Sequence, residues 1–261
     1  MGNSYFYDMN LFYRELGQGQ TMIILHGLMG SSDNWLTQAR MFSESYRVYT
    51  VDQRNHGQSP HSDEFDYKVL ATDLKAFVKL HELENPIVIG HSMGGKAAMN
   101  FAVSNPDMLD KLVVVDIAPV NYEVRHDHIV EGLLAIPIEQ IKTRNEADEI
   151  LSKHVDEVGV RQFLLKNLAR NDSGFEWKLN LGVIDKNLEL IGEGMQYEGS
   201  FDKPTLFVKG RRSNYIQDQH ATVIKSIFPN SELVVMETGH WVQAEQPAEF
   251  VKIVSEFLSR A

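Results

Sequence analysis

The sequence predicts an α/β fold, a mostly parallel, doubly wound sheet of about eight strands with a block of helices inserted in its second half. Three observations predict it. Short apolar runs of strand length recur at residues 21–25, 47–51, 86–90, 111–115, 203–209 and 232–236, as expected of strands covered on both faces. Helical patterns with one apolar face separate them. The alternation then breaks between residues 120 and 199, where helical spacing takes over, and resumes afterwards.

Taken in order, residues 4–7 and 10–15 read as an opening hairpin joined near Asp8. The run TMIIL ends in His26-Gly27-Leu28-Met29-Gly30, and Ser31, Ser32 and Asp33 offer capping oxygens for a helix reaching Phe42. RVYTV ends at Asp52 and opens a polar loop. Over residues 67–81, Leu70, Leu74, Phe77, Val78 and His81 share one helix face. The strand 86–90 enters Gly90-His91-Ser92-Met93-Gly94, and a helix over 93–104 follows, stopped near Pro106. KLVVV ends in Asp116.

The inserted block reads as helices over 122–134, from the Thr143-x-x-Glu146 capping box to Val155, and over 160–169. A turn at Asn171-Asp172-Ser173-Gly174 precedes two more, over 175–181 and 185–195. Strand 203–209, helix 215–227 and strand 232–236 restore the alternation. A closing helix begins at Pro247, with Phe250, Ile253, Val254, Phe257 and Leu258 facing inward. The break divides the chain into a core, 1–119 and 200–261, and a helical cap, 120–199.

Composition narrows the function. A chain of 261 residues buries enough surface to fold without metal or disulfide staples. With no cysteine there is no disulfide framework, thiolate metal site or cysteine nucleophile. A formal net charge of −11 disfavours nucleic acid and anionic membrane as partners. The first ten residues lack a basic region followed by an apolar core, Phe6 stands where a myristoylation motif needs Ser or Thr, and no apolar run approaches the ~20 residues of a membrane span. The expectation is a soluble cytoplasmic protein. His126 and His128, two apart on a predicted helix, do not share a face and read as surface residues, so neither a metal nor an organic cofactor is expected.

In open parallel sheets, ligands bind beyond the carboxyl ends of the strands. His26, Ser92, Asp116, Ser213 and His240 each follow a predicted strand, which places all five on one edge. The strongest single motif is G-x-S-x-G at 90–94, lying between strand and helix. A serine hydroxyl is a poor nucleophile unless a sharp turn lifts it toward a base. Gly90 and Gly94 remove the side chains that would collide in such a turn. His91 adjoins Ser92, but adjacent side chains at a sharp turn diverge, so it reads as structural.

His26-Gly27 after a strand, GHSMGG, and the late Gly239-His240 resemble the α/β-hydrolase superfamily over nearly the whole chain. DQRNHGQS (52–59), VVVDIAPV (113–120) and KGRRSNYI (209–216) are similar to the small YbfF-type esterases and thioesterases. The resemblance implies Ser92 as nucleophile and His240 as base, in the chain order Ser…Asp…His. The loop after strand 203–209, where much of the superfamily carries its acid, holds no carboxylate, and Asp218 falls in the next predicted helix. Asp116 is therefore the expected acid, with Ser213 as a supporting fourth member. The backbone N–H groups of Leu28 and Met93 are the expected oxyanion donors.

His26 is expected to brace the oxyanion loop and to border the substrate. Trp241, Phe163, Leu164, Trp177 and Leu181 are candidates for the acyl pocket, and Arg54, Arg125, Arg211 and Arg212 for an anionic group such as that of an acyl-CoA. The expected reaction is hydrolysis of a small-molecule carboxylic ester of a small to medium acyl group through an acyl-enzyme. Alternatives are acyl-CoA thioester hydrolysis, lyase or C–C hydrolase chemistry on the same fold, and a ligand sensor that retains the triad.

Overall fold

A computed structural model describes residues 9–123, 127–172 and 174–260. The chain order begins β1 (Tyr13–Leu16), β2 (Gln20–Leu25), α1 (Leu36–Phe42), β3 (Tyr46–Val51), α2 (Tyr67–Leu80), β4 (Ile87–His91), α3 (Met93–Ser104) and β5 (Lys111–Val115). Then come α4 (Asp127–Leu134), α5 (Arg144–Leu151), α6 (Val158–Leu165), β6 (Leu168–Asn171), β7 (Gly174–Trp177), α7 (Leu181–Lys186) and α8 (Leu188–Gly192). β8 (Thr205–Gly210), α9 (Ala221–Ile227), β9 (Ser231–Met236), α10 (Val242–Glu245) and α11 (Pro247–Leu258) complete it.

Seven described strands form one sheet in the order β1-β3-β2-β4-β5-β8-β9, parallel except for β1, which runs antiparallel to β3. The expected strand at 4–7 lies outside the described residues. Strand period two sorts the core. Met22, Ile24, Ile87, Ile89, Val113, Val115, Leu206 and Val208 face Trp35, Phe42, Phe250 and Val254 on one side. Ile23, Leu25, Val88, Leu112, Val114 and Phe207 face α2, α3 and the inserted segment on the other. These strands are buried on both faces, which is why they read as continuous apolar runs. Each fully buried Leu, Ile or Val contributes roughly 1.5–3 kcal/mol to that core. α2 starts where Asp66 accepts the N–H groups of Lys68 and Val69 at 2.8 and 2.9 Å.

The inserted segment departs from expectation in several places: the helix expected to reach Val155 ends at Leu151, and the one expected from 122 is not helical at 122–123 and is described from Asp127. The helix expected over 160–169 ends at Leu165, and the helix expected over 175–181 is absent; β6 and β7 pair as an antiparallel hairpin, Leu168 opposite Trp177 and Asn171 opposite Gly174. Gly174 supplies φ +142 at the turn, and alternation buries Phe175 while Glu176 points outward. The helix expected over 185–195 is broken at Asn187 into α7 and α8 and stops at Gly192. In the core, the helix expected from 215 starts only at Ala221. Gln217 donates from Nε2 to Asn214 O at 3.0 Å, and its N–H reaches His220 Nδ1 at 3.3 Å. Such local side-chain bonds compete with helix and leave 211–217 irregular. No described helix is long and apolar enough to cross a membrane.

Candidate active site

The parallel strands end in step: Gly90 pairs with Leu25 and Val114, Val115 with Val208, and Gly210 with Met236. Whatever follows them is delivered to one edge. Ser92 leaves β4 at φ 52, ψ −117, a backbone conformation that costs a non-glycine residue roughly 1–3 kcal/mol. Two bonds hold it there. Its N–H donates to Val115 O, and its carbonyl accepts from Lys96 N–H, both at 3.0 Å. A Cβ on Gly90 would lie 2.2 Å from Gly94 O, and one on Gly94 would lie 2.5 Å from His26 O, so the turn admits only glycine at both positions.

β5 delivers Asp116, fully buried and also at positive φ (50°). Its Oδ1 accepts Gly210 N–H at 3.0 Å. Its Oδ2 accepts the Ser213 hydroxyl and lies 2.8 Å from His240 Nδ1. With Nδ1–H committed to the carboxylate, Nε2 of His240 carries the free lone pair. Ser92 and His240 line one cleft of about 670 Å³, together with Leu28, Met93 and Ser213. Met93 opens α3, where the first N–H groups have no partner inside the helix.

The loop carrying Leu28 is braced by two buried histidines. His26 Nδ1 donates to Gly27 O at 2.8 Å and its Nε2 accepts Gln53 N–H at 3.0 Å. His56 repeats the pattern, from Nδ1 to Arg54 O at 2.8 Å and from Met29 N–H to Nε2 at 3.1 Å. Burial lowers the pKa of His26 and pushes that of His56 down to about 3, so both rings remain neutral and can accept. His91 is also buried; desolvation, then the neighbouring His240, hold its pKa well below the ordinary value, and its Nε2–H donates to His240 O at 2.9 Å.

Several expected substrate contacts lie elsewhere. His26 is 1 % exposed and serves only as a brace. Arg54 is 2 % exposed and commits its guanidinium to Asp73 at 2.5 and 2.8 Å and to Glu64 O, so it cannot grip an anionic substrate. Trp241 and Phe163 pack on each other, ring centroids 5.7 Å apart, and Trp177 sits in β7; none of the three forms the cleft wall, nor do Leu164 and Leu181, buried in the main core. Arg211 pairs with Glu237 at the surface. Arg212 does reach the cleft, held by Glu245 Oε2 at 2.7 Å. Arg125 and His126 lie outside the described residues, and His128 is exposed.

The inserted segment instead lines the cleft with Asn121, Tyr122, Glu123, Leu188, Ile191 and Gly192. Tyr67, Lys96 and Tyr215 were not singled out from sequence. Lys96 carried a signal: it stands four residues after Ser92, on the same face of an otherwise uncharged helix.

The family described as the alpha/beta hydrolase fold matches residues 20–142. The sn-1-specific diacylglycerol lipase ABHD11 of Mus musculus is 38 % identical over 248 residues, covering 91 % of this chain and 80 % of that protein. The chain belongs to the α/β-hydrolase family. Esterase YbfF of Escherichia coli is 36 % identical over 241 residues, covering 91 % of this α/β-hydrolase and 92 % of that protein. A solved structure described as a marine microorganism esterase superposes with a TM-score of 0.93 at 42 % identity, covering 95 % of this chain and 99 % of that one.

Proposed function

We propose that this α/β-hydrolase is a carboxylesterase-type serine hydrolase acting on small-molecule esters of small to medium acyl groups. The observation that carries the reading is the meeting, in one cleft, of Ser92 on its strained turn and the His240–Asp116 pair. Ser92 Oγ attacks the acyl carbonyl carbon as His240 Nε2 takes its proton. Asp116, supported by Ser213, orients the ring and balances the imidazolium. Backbone N–H groups of Leu28 and Met93 receive the oxyanion. His240 returns the proton to the departing alcohol, leaving an acyl-enzyme. Water, deprotonated by the same imidazole, then releases the acid and restores Ser92.

The inserted segment, residues 120–199, acts as a cap: its Leu188 and Ile191 give the cleft an apolar wall suited to an acyl chain. Action in the cytoplasm is part of the same proposal, and a chain without cysteine is compatible with a reducing compartment. A fluorophosphonate probe tests the reading. It is expected to label Ser92, mapped by mass spectrometry, and to leave Ser92→Ala unlabelled and inactive toward p-nitrophenyl esters. Labelling elsewhere, or turnover that survives Ser92→Ala, overturns it.

A further inference from the structure

His240 occupies a half-buried loop beyond β9, the edge strand of the sheet, and its side chain is 25 % exposed. The hydrogen bond to Asp116 fixes the position of Nδ1 but not, by itself, the plane of the imidazole. Two rings constrain that plane. Tyr215 stacks on the imidazole with ring centroids 4.2 Å apart and planes 30° from parallel. The His91 ring lies 4.6 Å away, tilted by 42°.

The backbone of Tyr215 is fixed on both sides. Its N–H donates to Ser213 Oγ at 3.3 Å, and Ser213 donates to Asp116. Its carbonyl accepts the Tyr122 hydroxyl at 2.5 Å, and that hydroxyl accepts Ala118 N–H at 2.9 Å. The turn after β5 thus delivers the carboxylate directly and the tyrosine through Tyr122. A base that becomes a cation during reaction gains from an aromatic face, because the ring quadrupole attracts positive charge.

We propose that Tyr215 is a positioning residue for ester hydrolysis: its ring fixes the plane of the His240 imidazole beside the cleft that Ser92 also lines, and stabilises the imidazolium formed there. This rests on the assignment of His240 as base. The charged and titratable groups around His240 are Asp116 at the end of β5, His91 at the end of β4, and Tyr215 and Arg212 after β8. Glu245 of α10 holds Arg212 and accepts Gly239 N–H at 2.9 Å. The Tyr122 ring packs 5.4 Å from that of Tyr215, with Lys96 Nζ 4.7 Å from its centroid and the His220 ring 6.3 Å away. His91 stays neutral, so it puts no like charge against the imidazolium.

The test compares Tyr215→Leu, Tyr215→Phe and wild type in kcat, KM and the pH profile of kcat/KM with one p-nitrophenyl ester. Losing the aromatic face disfavours the protonated ring, so in Tyr215→Leu the acid limb moves to lower pH by about half a unit, and kcat falls about tenfold. Tyr215→Phe keeps the face and brings both back toward wild type. Tyr215→Met replaces the Leu variant if that one does not fold by circular dichroism.

A Leu or Met variant with the wild-type acid limb and a change confined to KM makes Tyr215 a pocket wall only and overturns the proposal. So does a Phe variant as impaired as Leu. Fluorophosphonate labelling of Ser92 persists, slowed, in Tyr215→Leu. Turnover that survives Ser92→Ala or His240→Ala would instead break the underlying assignment of the site.

Discussion

Lys96 shows what a single buried charge does in this protein. Its ammonium donates to Gly192 O at 2.9 Å and to Glu193 O, and lies over the rings of Tyr67 and Tyr122 at 5.4 and 4.7 Å. Desolvation pushes its pKa down to about 7, with Glu193 opposing the shift. The folded value lies below the unfolded one, near 10.4. Between those values the unfolded chain holds a proton that the folded chain lacks, so stability from this group rises with pH across that window and is flat on either side. In urea denaturation at a series of pH values, the stability of wild type relative to Lys96→Met is expected to grow from pH 7 to pH 10, by at most ~1.4 kcal/mol per unit. A constant gap would contradict the burial argument. At Asp116 the expectation is an order of severity. Asp116→Ala leaves His240 unoriented and Gly210 N–H unpaired in the interior, and should lower turnover by ~10³–10⁴. Ser213→Ala removes one of three donors to that carboxylate and should cost about tenfold. Steady-state kinetics showing the reverse order would reassign the acid.

At the scale of elements, close backbone approach decides whether the separate strand ends make one site. The loop after β8 and the loop carrying His240 meet at Gly210, where a Cβ would stand 2.1 Å from Gly239 O. No side-chain rotation relieves a clash with backbone. Gly210→Ala is expected to destabilise by about 1–3 kcal/mol and to lower kcat by displacing His240. Gly182→Ala, exposed in α7 with nothing within 4 Å, should be neutral or stabilising by a few tenths of a kcal/mol. Thermal melts of the pair check both. The same geometry explains what could be read from the sequence. The central strands β2, β3, β4, β5 and β8 are legible because burial on both faces leaves near-continuous apolar runs; the edge strands β1 and β9 leave Glu15, Leu233 and Val235 exposed and do not owe their legibility to it. Ser92, Asp116, Ser213 and His240 are legible as residues that follow strand ends; Ser92, Ser213 and His240 line one cleft, and Asp116 is buried behind the last two. The β6–β7 hairpin is not legible, because four-residue strands are too short for period two to outweigh a helical reading of Leu168, Phe175 and Leu181. Arg54 was misassigned because its partner, Asp73, lies nineteen residues away on the inner face of α2. Tyr215 was missed because its role arises from stacking, which carries no spacing rule.

For the whole molecule, the question is whether the proposed cap is a separate body or part of one cooperative unit. Val130, Leu133, Ala147, Leu151, Leu164, Leu168, Ile184 and Ile191 belong to the same continuous apolar cluster as Ile23, Val88 and Phe207 of the sheet. Polar straps add to it. Asn167 Nδ2 donates to Met29 O at 2.7 Å, and Asn180 N–H donates to Asn55 O at 3.0 Å, both reaching loops that follow strands. Tyr67 OH donates to Ile191 O at 2.7 Å, and Gln196 N–H to Asn100 Oδ1 at 2.7 Å, joining α2 and α3 to the end of the inserted segment. Each such bond is worth about 1 kcal/mol when made and more when a buried partner is left unpaired. A segment sharing its core and these straps gains little by unfolding alone, so it should unfold with the sheet in one transition. Trp177 in β7 and Trp35 in the layer under α11 report on the two parts. Variants that keep only one of these tryptophans, the others replaced by Phe, are expected to show coincident urea midpoints by fluorescence and by far-ultraviolet circular dichroism. A Trp177 signal lost at lower urea than the Trp35 signal would mean that the cap melts first. The straps at Asn167 and Asn180 would then be too weak to couple it, and Asn167→Ala should widen the gap between the two midpoints.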